Sequence, residues 1–154
     1  MDLRPYLSAD RSACLGIFES NAPEYFDPAE RIGFEAFLDN PDCPYFVMEH
    51  EVSDKAAIVG CGGYALAQQD GLASMVWGMI RRDSHKLGLG RFLLLYRLRE
   101  IGKAGGIQMV RLDTSQKAEP FFRKQGFKAT GVIKDSYGPG LDRVEMIMKL
   151  TVCP

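Results

Sequence analysis

The sequence predicts a mixed α/β (α+β) fold, in which helices flank a single sheet. Two helical segments come first, a run of strands occupies the middle, and a helix, a strand, a second helix and two strands follow. The helix that begins near Gly90 joins two strands, and a helical crossover of this kind makes the strands it connects parallel. We therefore expect a mixed sheet of about seven strands with about four helices and a central parallel crossover.

The helical segments of the first forty residues are bounded by residues that favour helix ends. Ser8 is a favoured N-cap for a first helix that runs to about Asn21. Pro28 suits the first turn of a second helix, which should end near Asn40. A loop, residues 21–27, separates the two helices.

The helix that follows Gly90 has an apolar stripe that is expected to be buried: Leu89, Phe92, Leu93, Tyr96 and Ile101. Its charged residues, Arg97 among them, are expected largely on the opposite face.

Strand segments are recognised by short apolar runs between turn signals. They are residues 3–6, 45–51, 57–66, 72–80, 107–113, 127–135 and 142–150. Gly78, beside Trp77, predicts a bulge or a close backbone approach late in its strand. Residues 136–141 are expected to form a glycine-rich loop longer than a tight hairpin needs. Cys61 is expected to be a small buried strand residue.

Composition is that of an ordinary globular protein of one domain, residues 1–154. Of the 154 residues, 46% are hydrophobic and 25% are charged. The sequence has no apolar run long enough to span a membrane, and its amino terminus does not resemble a signal peptide. The sequence contains four scattered cysteines and two histidines: Cys14, Cys43, Cys61, Cys153, His50 and His85. So few and so dispersed ligands argue against a metal site. They also suggest a cytoplasmic setting, although a disulfide between two of the cysteines is not excluded.

The net charge of −1 conceals an asymmetry between the two halves of the chain. Residues 1–80 hold 13 acidic and 4 basic residues, a net charge of −9, whereas residues 81–154 hold 7 and 15, a net charge of +8. The overall charge gives no reason to expect nucleic-acid binding. The division suits a protein that binds a polyanion on its second half and a cation on its first. Two solvated faces without function are the alternative.

The stretch from Ile80 to Tyr96 joins a strand end, a polar turn and an apolar helix. Gly88 and Gly90 leave backbone N–H groups uncovered at the first turn of the helix, where N–H groups lack partners and the helix dipole is positive. Such a junction binds anions, most often phosphate. Four basic residues cluster around it: Arg81, Arg82, Lys86 and Arg91.

Rival glycine motifs fit this stretch less well. A dinucleotide-binding fold requires a third glycine at the position that Leu93 occupies, and a P-loop requires Gly-Lys-Ser/Thr, which is missing. A turn followed by a helix cap, with no ligand, is the remaining structural alternative.

Two motifs resemble those of the GCN5-related N-acetyltransferases (the GNAT family). The run His85-Lys86-Leu87-Gly88-Leu89-Gly90 resembles the family's Gln/Arg-x-x-Gly-x-Gly/Ala pyrophosphate loop, and Ile80 stands where the family's fourth strand ends. Phe121-Phe122-Arg-Lys-Gln-Gly126-Phe127 resembles the second signature, an aromatic pair followed by Gly-Phe. The resemblance is clear over about residues 58–150.

This resemblance implies a mostly antiparallel GNAT sheet and acetyl-CoA (coenzyme A) as co-substrate, with no metal. The bulge near Gly78 would make room for the pantetheine arm, and the backbone N–H of Met79 or Ile80 would bind the thioester carbonyl. The residues it places at the cofactor are Met79, Ile80, His85, Lys86, Leu87, Gly88, Leu89, Gly90, Arg91, Phe121 and Phe122.

Two positions depart from the family pattern. His85 replaces Gln or Arg; its backbone donation survives, and its side chain is expected to face solvent. Phe122 replaces a tyrosine that in the family usually protonates the thiolate. Either another hydroxyl substitutes, with Tyr137 considered before Ser115, or the thiolate leaves unaided, or the protein binds acyl-CoA without turning it over.

The sequence does not identify which residue is the general base. The strand 72–80 contains no carboxylate, so a base from that strand is excluded. Glu24, Glu49, Glu51 and Asp113 remain, although each is of a kind more often found as a surface or turn-capping group. A water relay to a more distant carboxylate is equally compatible with the sequence.

The sequence thus predicts an acetyl-CoA-dependent N-acetyltransferase that acts on a primary amine of a small molecule or peptide. A catalytically silent acyl-CoA-binding or regulatory protein is the alternative. Acyl-CoA and an amine are the expected partners, without nucleic acid or membrane, and the sequence allows a homodimer.

Overall fold

The computed structural model describes residues 2–150, so Cys153 lies outside the described residues. Seven strands are found in this range: β1 (Asp2–Pro5), β2 (Tyr45–Val52), β3 (Lys55–Ala67), β4 (Leu72–Ile80), β5 (Met109–Thr114), β6 (Lys128–Gly138) and β7 (Leu141–Lys149). The helices are α1 (Arg11–Asn21), α2 (Arg31–Asp39), α3 (Leu89–Ala104) and α4 (Glu119–Lys124).

The strands form one sheet in the order β1-β2-β3-β4-β5-β7-β6. β4 and β5 pair in parallel, and every other neighbouring pair is antiparallel. α3 makes the crossover between the two parallel strands. The predicted mixed, mostly antiparallel sheet with four helices and a central crossover is therefore confirmed.

The helices cover both faces of the sheet. Val47 packs in a cluster with Phe18 of α1 and Phe34 of α2, whereas its neighbour Phe46 packs against a cluster that contains Leu94 of α3. Alternate residues of a strand point to opposite faces. α1 and α2 therefore lie on one face and α3 on the other, and the core of the protein has two layers.

Three details differ from the sequence predictions, and the start of the first helix is one of them. Residues 8–10 form a 3₁₀ turn instead of the first turn of α1. The carboxylate of Asp10 accepts a hydrogen bond from the N–H of Leu7 (2.9 Å) and pairs with Arg4 (2.8 Å). This pairing fixes the turn, so Ser8 is not the side chain that caps α1.

The second difference from the sequence predictions is the set of residues on the buried face of α3. Phe92 was expected on this face but is 39% exposed, whereas Arg97 was expected on the polar face and is only 3% exposed. The hydrophobic pattern could not place Arg97 inside, because arginine is rarely buried.

The connection between β6 and β7 is the third difference. β6 continues to Gly138 and a turn leads directly into β7 at Leu141, so the predicted loop 136–141 is largely strand. Four residues of β6, 134–137, lie opposite Asp142 alone, which makes a wide bulge. The carboxylate of Asp142 accepts from the N–H of Asp135 (2.9 Å), and that of Asp135 accepts from Gly140 (2.8 Å).

Cys61 is fully buried in β3, as expected, and the described cysteines Cys14, Cys43 and Cys61 are not disulfide-bonded. Among residues 2–150, helices that combine the length and the apolar character needed to cross a bilayer are not found.

Candidate active site

The site lies where β4 and β5 separate. Their parallel pairing ends at Ser74 and Arg111, although both strands continue. A cavity of about 650 Å³ occupies the gap, and its walls include Met75 and residues 77–80 of β4 and residues 112–114 of β5. A cavity of this size is large enough for an extended ligand.

A bulge in β4 lies at the predicted position. The register with β3 shifts between Cys61 and Gly63, so that Trp77 and Gly78 lie opposite one residue. Trp77 adopts a left-handed conformation (φ 40°), and its carbonyl oxygen accepts a hydrogen bond from the hydroxyl of Tyr45 (2.7 Å). The bulge directs β4 away from its neighbour, as bulges commonly do.

One backbone donor of β4 faces this gap. The N–H of Arg81 bonds to the carbonyl of Val59, which makes this pair a hydrogen-bonded one in the antiparallel ladder with β3. The adjacent residue, Ile80, is therefore in a non-bonded pair, and its N–H and C=O both point away from β3. Of the two donors named from the sequence, Ile80 faces the cavity and Met79 faces β3.

The glycine loop lies at the amino end of α3. Gly88 has φ +80°, which favours glycine, and precedes Leu89, the first residue of the helix. The structure shows no side-chain cap on this end of α3. The N–H groups of the first turn are therefore open, and together with the dipole of a 16-residue helix they are suited to binding an anion.

The basic residues near the loop divide into two groups. Arg81 pairs with Asp83 (2.7 Å), and Arg82 pairs with Glu24 and lies over the ring of Tyr25. Lys86 and Arg91, in contrast, line the cavity. Neither side chain takes part in an ion pair with another described residue, so both are available to bind a phosphate group.

His85 does not face solvent as expected. It is half-buried, lines the cavity and packs edge-on against Tyr25, with ring centroids 5.3 Å apart. Its Nε2 lies 2.8 Å from the carbonyl oxygen of Ile80. A carbonyl can only accept, so Nε2 carries the proton and donates it. The imidazole thus ties the glycine loop to the end of β4.

Asn21, at the end of α1, reaches the same carbonyl. Its Nδ2 donates to the carbonyl oxygens of Ile17 (3.0 Å) and Ile80 (2.8 Å), which fixes the orientation of the amide. Asn21 is one of the residues that line the cavity, and its buried Oδ1 has no hydrogen-bond partner among residues 2–150. Such an acceptor fits an N–H group of a bound ligand, because buried polar atoms are nearly always paired.

The aromatic pair packs beside the loop. The rings of Phe121 and Phe122 lie edge to face with centroids 5.0 Å apart, and Phe122 also packs against Phe127. Both members of the pair line the cavity. Phe122 provides apolar surface there but no hydroxyl.

Two carboxylates and two hydroxyl groups in the cavity lining are candidates for proton transfer or for a hydrogen bond to the leaving group: Glu30, Asp113, Ser115 and Tyr137. Burial is the main cause that raises the pKa of Tyr137, and the negative charges of Asp113 and Glu30 add to it. Burial also raises the pKa of Glu30, whose Oε2 accepts from the N–H of Asp27 (2.9 Å). Ser115 does not cap α4 with its side chain; its Oγ is buried without a partner among residues 2–150.

Most of the residues predicted from the sequence meet in this cavity: Met79, Ile80, His85, Lys86, Gly88, Gly90, Arg91, Ser115, Phe121, Phe122 and Tyr137. Leu87 is exposed and Leu89 is buried in the core, and neither of them lines the cavity. Glu49 instead pairs with Arg4 (2.8 Å), and Glu24 pairs with Arg82. Neither of these two carboxylates lines the cavity.

Several residues that line the cavity were not named as site residues from the sequence, among them Asn21, Glu30 and Arg97. Asn21 was placed only at the junction of the first helix and the loop 21–27, and Arg97 on the polar face of its helix. Glu30 was overlooked because it forms a capping box with Asp27, and that spacing signals only a helix start. Within residues 2–150, groups of three or more His, Cys, Asp or Glu side chains suited to holding a metal ion are not found.

A sheet opened between two parallel strands, with an uncapped helix amino terminus in the opening, defines a GNAT-like fold. The sequence matches the model of the Acetyltransferase (GNAT) family over residues 14–127. The chain therefore belongs to this family of acetyltransferases. Comparison with the sequences of curated proteins gives no match.

Solved structures from several bacteria share the fold. A structure from Desulfovibrio desulfuricans assigned to the GNAT acetyltransferases superposes with a TM-score of 0.77 at 22% identity, covering 97% of this chain and 99% of that one. The ribosomal-protein-S18-alanine N-acetyltransferase of Escherichia coli gives 0.76 at 14% identity, covering 99% and 96%. A phosphinothricin acetyltransferase of Sinorhizobium meliloti, in complex with acetyl-CoA, gives 0.72 at 18% identity, covering 97% and 88%.

Proposed function

We propose that the protein transfers an acetyl group from acetyl-CoA to a primary amine of a small molecule or peptide. One observation carries this proposal: the same cavity is lined by the open amino terminus of α3, by the carboxylates of Glu30 and Asp113 and by the hydroxyl groups of Ser115 and Tyr137. Membership of the acetyltransferase family supports the same chemistry. The described residues fit acetyl-CoA at its phosphate end, through Lys86, Arg91 and the glycine loop.

The transfer is direct. The lone pair of the amine attacks the thioester carbonyl carbon, the C–N bond forms and the C–S bond breaks. The nitrogen loses one proton and the sulfur gains one. An oxygen that gains negative charge needs a hydrogen-bond donor, and the N–H of Ile80 is the donor that faces the gap.

Tyr137 is the hydroxyl we assign to the leaving sulfur, in place of the tyrosine that Phe122 replaces. Its raised pKa keeps the phenol protonated at neutral pH. Full proton transfer from so weak an acid to a thiolate, whose conjugate thiol has a pKa near 8.5, is unfavourable. Tyr137 therefore acts as a hydrogen-bond donor that stabilises the thiolate until water protonates it. Ser115 is the second donor in reach of the cavity.

Glu30 is the base we assign to the amine. The conjugate acid of a primary amine has a pKa near 10, so the ammonium must lose a proton before its nitrogen can attack, and the nitrogen loses one more as the amide forms. A carboxylate becomes a stronger base when burial raises its pKa, as burial does for Glu30. Asp113 also lines the cavity, but it is exposed to solvent, so it is the second choice.

Thiol release from acetyl-CoA in the presence of pooled primary amines tests the proposal. An acetyltransferase releases coenzyme A faster with at least one amine pool than without amines, and the acetylated amine appears in equal amount. A catalytically silent acyl-CoA-binding protein binds acetyl-CoA but releases no thiol with any pool.

A further inference from the structure

We propose that Arg97 is the counterion of a carboxylate that one of the two substrates brings into the cavity. This inference rests on the proposed function and adds to it the chemical class of a substrate: an acidic acyl group, or an amine that also carries a carboxylate.

Arg97 occupies an apolar position of α3. The residues Leu89, Leu93, Arg97 and Ile101 follow one another at intervals of four, and all four are buried. Residues at this spacing share one face of a helix. A leucine in place of Arg97 would complete the stripe, whereas a buried cation is costly unless it is paired.

The described residues offer Arg97 only neutral partners. Its Nη1 donates to the carbonyl oxygen of Gly63 (3.3 Å) and its Nε to that of Leu93 (3.4 Å). Both bonds are long, and carbonyl groups do not neutralise a charge. Within residues 2–150 none of the ion pairs includes Arg97. Although burial lowers the pKa of Arg97 to about 10, the group stays charged at neutral pH.

The guanidinium lies at the bulge of β4, against the wall of the cavity. A β-carbon placed on Gly78 would lie 2.9 Å from both Nη1 and Nη2, and one on Gly62 would lie 3.2 Å from Cζ. Two glycines thus leave room for the planar group at the point where β4 turns away from β5, and Arg97 itself lines the cavity. Gly78 is followed directly in the chain by Met79 and Ile80, which lie beside the proposed thioester site.

A charged, planar fork at this place matches a carboxylate, which it can bind with two parallel hydrogen bonds. Because the fork adjoins the site of transfer, the carboxylate belongs to a group near the reacting carbonyl. It is carried either by the acyl chain of the thioester or by the amine. The alternative role, a clamp on the backbone at the bulge, requires the hydrogen bond to Gly63 but no charge.

Calorimetry in two arms tests the proposal without requiring turnover. In the acyl arm, succinyl-CoA is compared with butyryl-CoA, whose chain ends in a methyl group. In the amine arm, amino acids such as alanine and β-alanine are compared with their amides on protein saturated with coenzyme A. Arg97→Gln removes the charge and keeps a donor for Gly63, Arg97→Lys keeps the charge, and Arg99→Gln is the exposed control on the same helix.

The proposal predicts that the wild-type protein prefers the acidic member by about 10- to 100-fold in one arm, the value of a hydrogen-bonded charge pair. Arg97→Gln lowers this ratio to about 1, Arg97→Lys keeps part of it, and Arg99→Gln keeps all of it. The arm that shows the preference identifies which substrate carries the carboxylate.

Equal affinities for both members in both arms of the wild-type protein overturn the proposal, even if Arg97→Gln fails to fold. A preference that persists in folded Arg97→Gln overturns it as well. Failure of the proposed function is a separate result, because it shows as the absence of thiol release with every amine pool, whereas both arms measure binding alone.

Discussion

The ring of Phe121 packs against Gly90, the second residue of α3. A β-carbon on Gly90 would lie 3.4 Å from Cζ of Phe121 and 3.8 Å from Cγ1 of Ile80. The two sequence motifs therefore meet at the amino terminus of the helix, where the anion site is formed. Any large side chain at Gly90 must displace the aromatic pair or enter the cavity.

Glu30 provides the first prediction. If its carboxylate accepts the amine proton, kcat/KM rises with pH through the pKa of Glu30, because the deprotonated form is the active one. Burial raises this pKa, so the inflection lies above the usual carboxyl value of about 4.3. Glu30→Gln should lower kcat/KM about 100-fold and remove the inflection.

Glu30→Gln retains an oxygen acceptor for the N–H of Asp27, so the helix start is preserved. Glu35→Gln, on α2 and outside the cavity, is the matched control and should leave the pH profile unchanged. If the fall of kcat/KM at low pH is unchanged in Glu30→Gln, the general base is Asp113 or a carboxylate that acts through a water relay instead.

Tyr137 provides the second prediction. Tyr137→Phe should lower kcat by about 10- to 100-fold, because a hydrogen bond to the departing thiolate is lost and a thiolate needs less help than an alkoxide. The affinity for coenzyme A should hardly change. Since the pKa of Tyr137 is raised, kcat of the wild-type protein should show no alkaline loss from this group below about pH 10.

Phe122→Tyr in the Tyr137→Phe background should restore part of the rate, since both side chains line the same cavity. Full activity of the single variant Tyr137→Phe would show that the thiolate leaves unaided or that Ser115 serves it. Single-turnover kinetics separates these effects from product release.

The third prediction concerns ionic strength. Lys86 and Arg91 line the cavity, and the half of the chain that holds them has a net charge of +8. Raising the salt concentration from 0.05 M to 0.5 M should weaken coenzyme A binding clearly more than pantetheine binding, since exposed charges are screened within about 10 Å at 0.1 M salt. Arg91→Gln should reduce this salt dependence. Equal dependence for both ligands would mean that the charge division has no role in binding.

The architecture could be predicted from the sequence because local residue patterns indicate the order of the strands and helices. The glycine loop and the bulge at Gly78 were also predicted, since each requires a particular residue type at a particular place. The β6–β7 connection was not predicted. Its form depends on two long-range hydrogen bonds of Asp135 and Asp142, and turn composition alone does not show them.

The chemistry of the cavity was predicted only in part, for a similar reason. Glu49 and Glu24 are eligible carboxylates in the sequence, but each forms an ion pair with an arginine outside the cavity. Arg97 and Asn21 become notable only once burial is known, because one lies on a core face and the other has an acceptor without a partner. Residue type gives no sign of either condition.

Coenzyme A binding by Gly90 variants tests the central claim, that the amino terminus of α3 is a pyrophosphate site. Gly90→Ala is the control, because its β-carbon makes ordinary contacts and Gly90 has no positive φ. Gly90→Glu places a bulky negative group where the phosphates should lie. The account predicts that calorimetry shows near-normal affinity for Gly90→Ala and at least a 100-fold weaker affinity for folded Gly90→Glu. Equal coenzyme A affinity in folded Gly90→Glu and in the wild-type protein would contradict it.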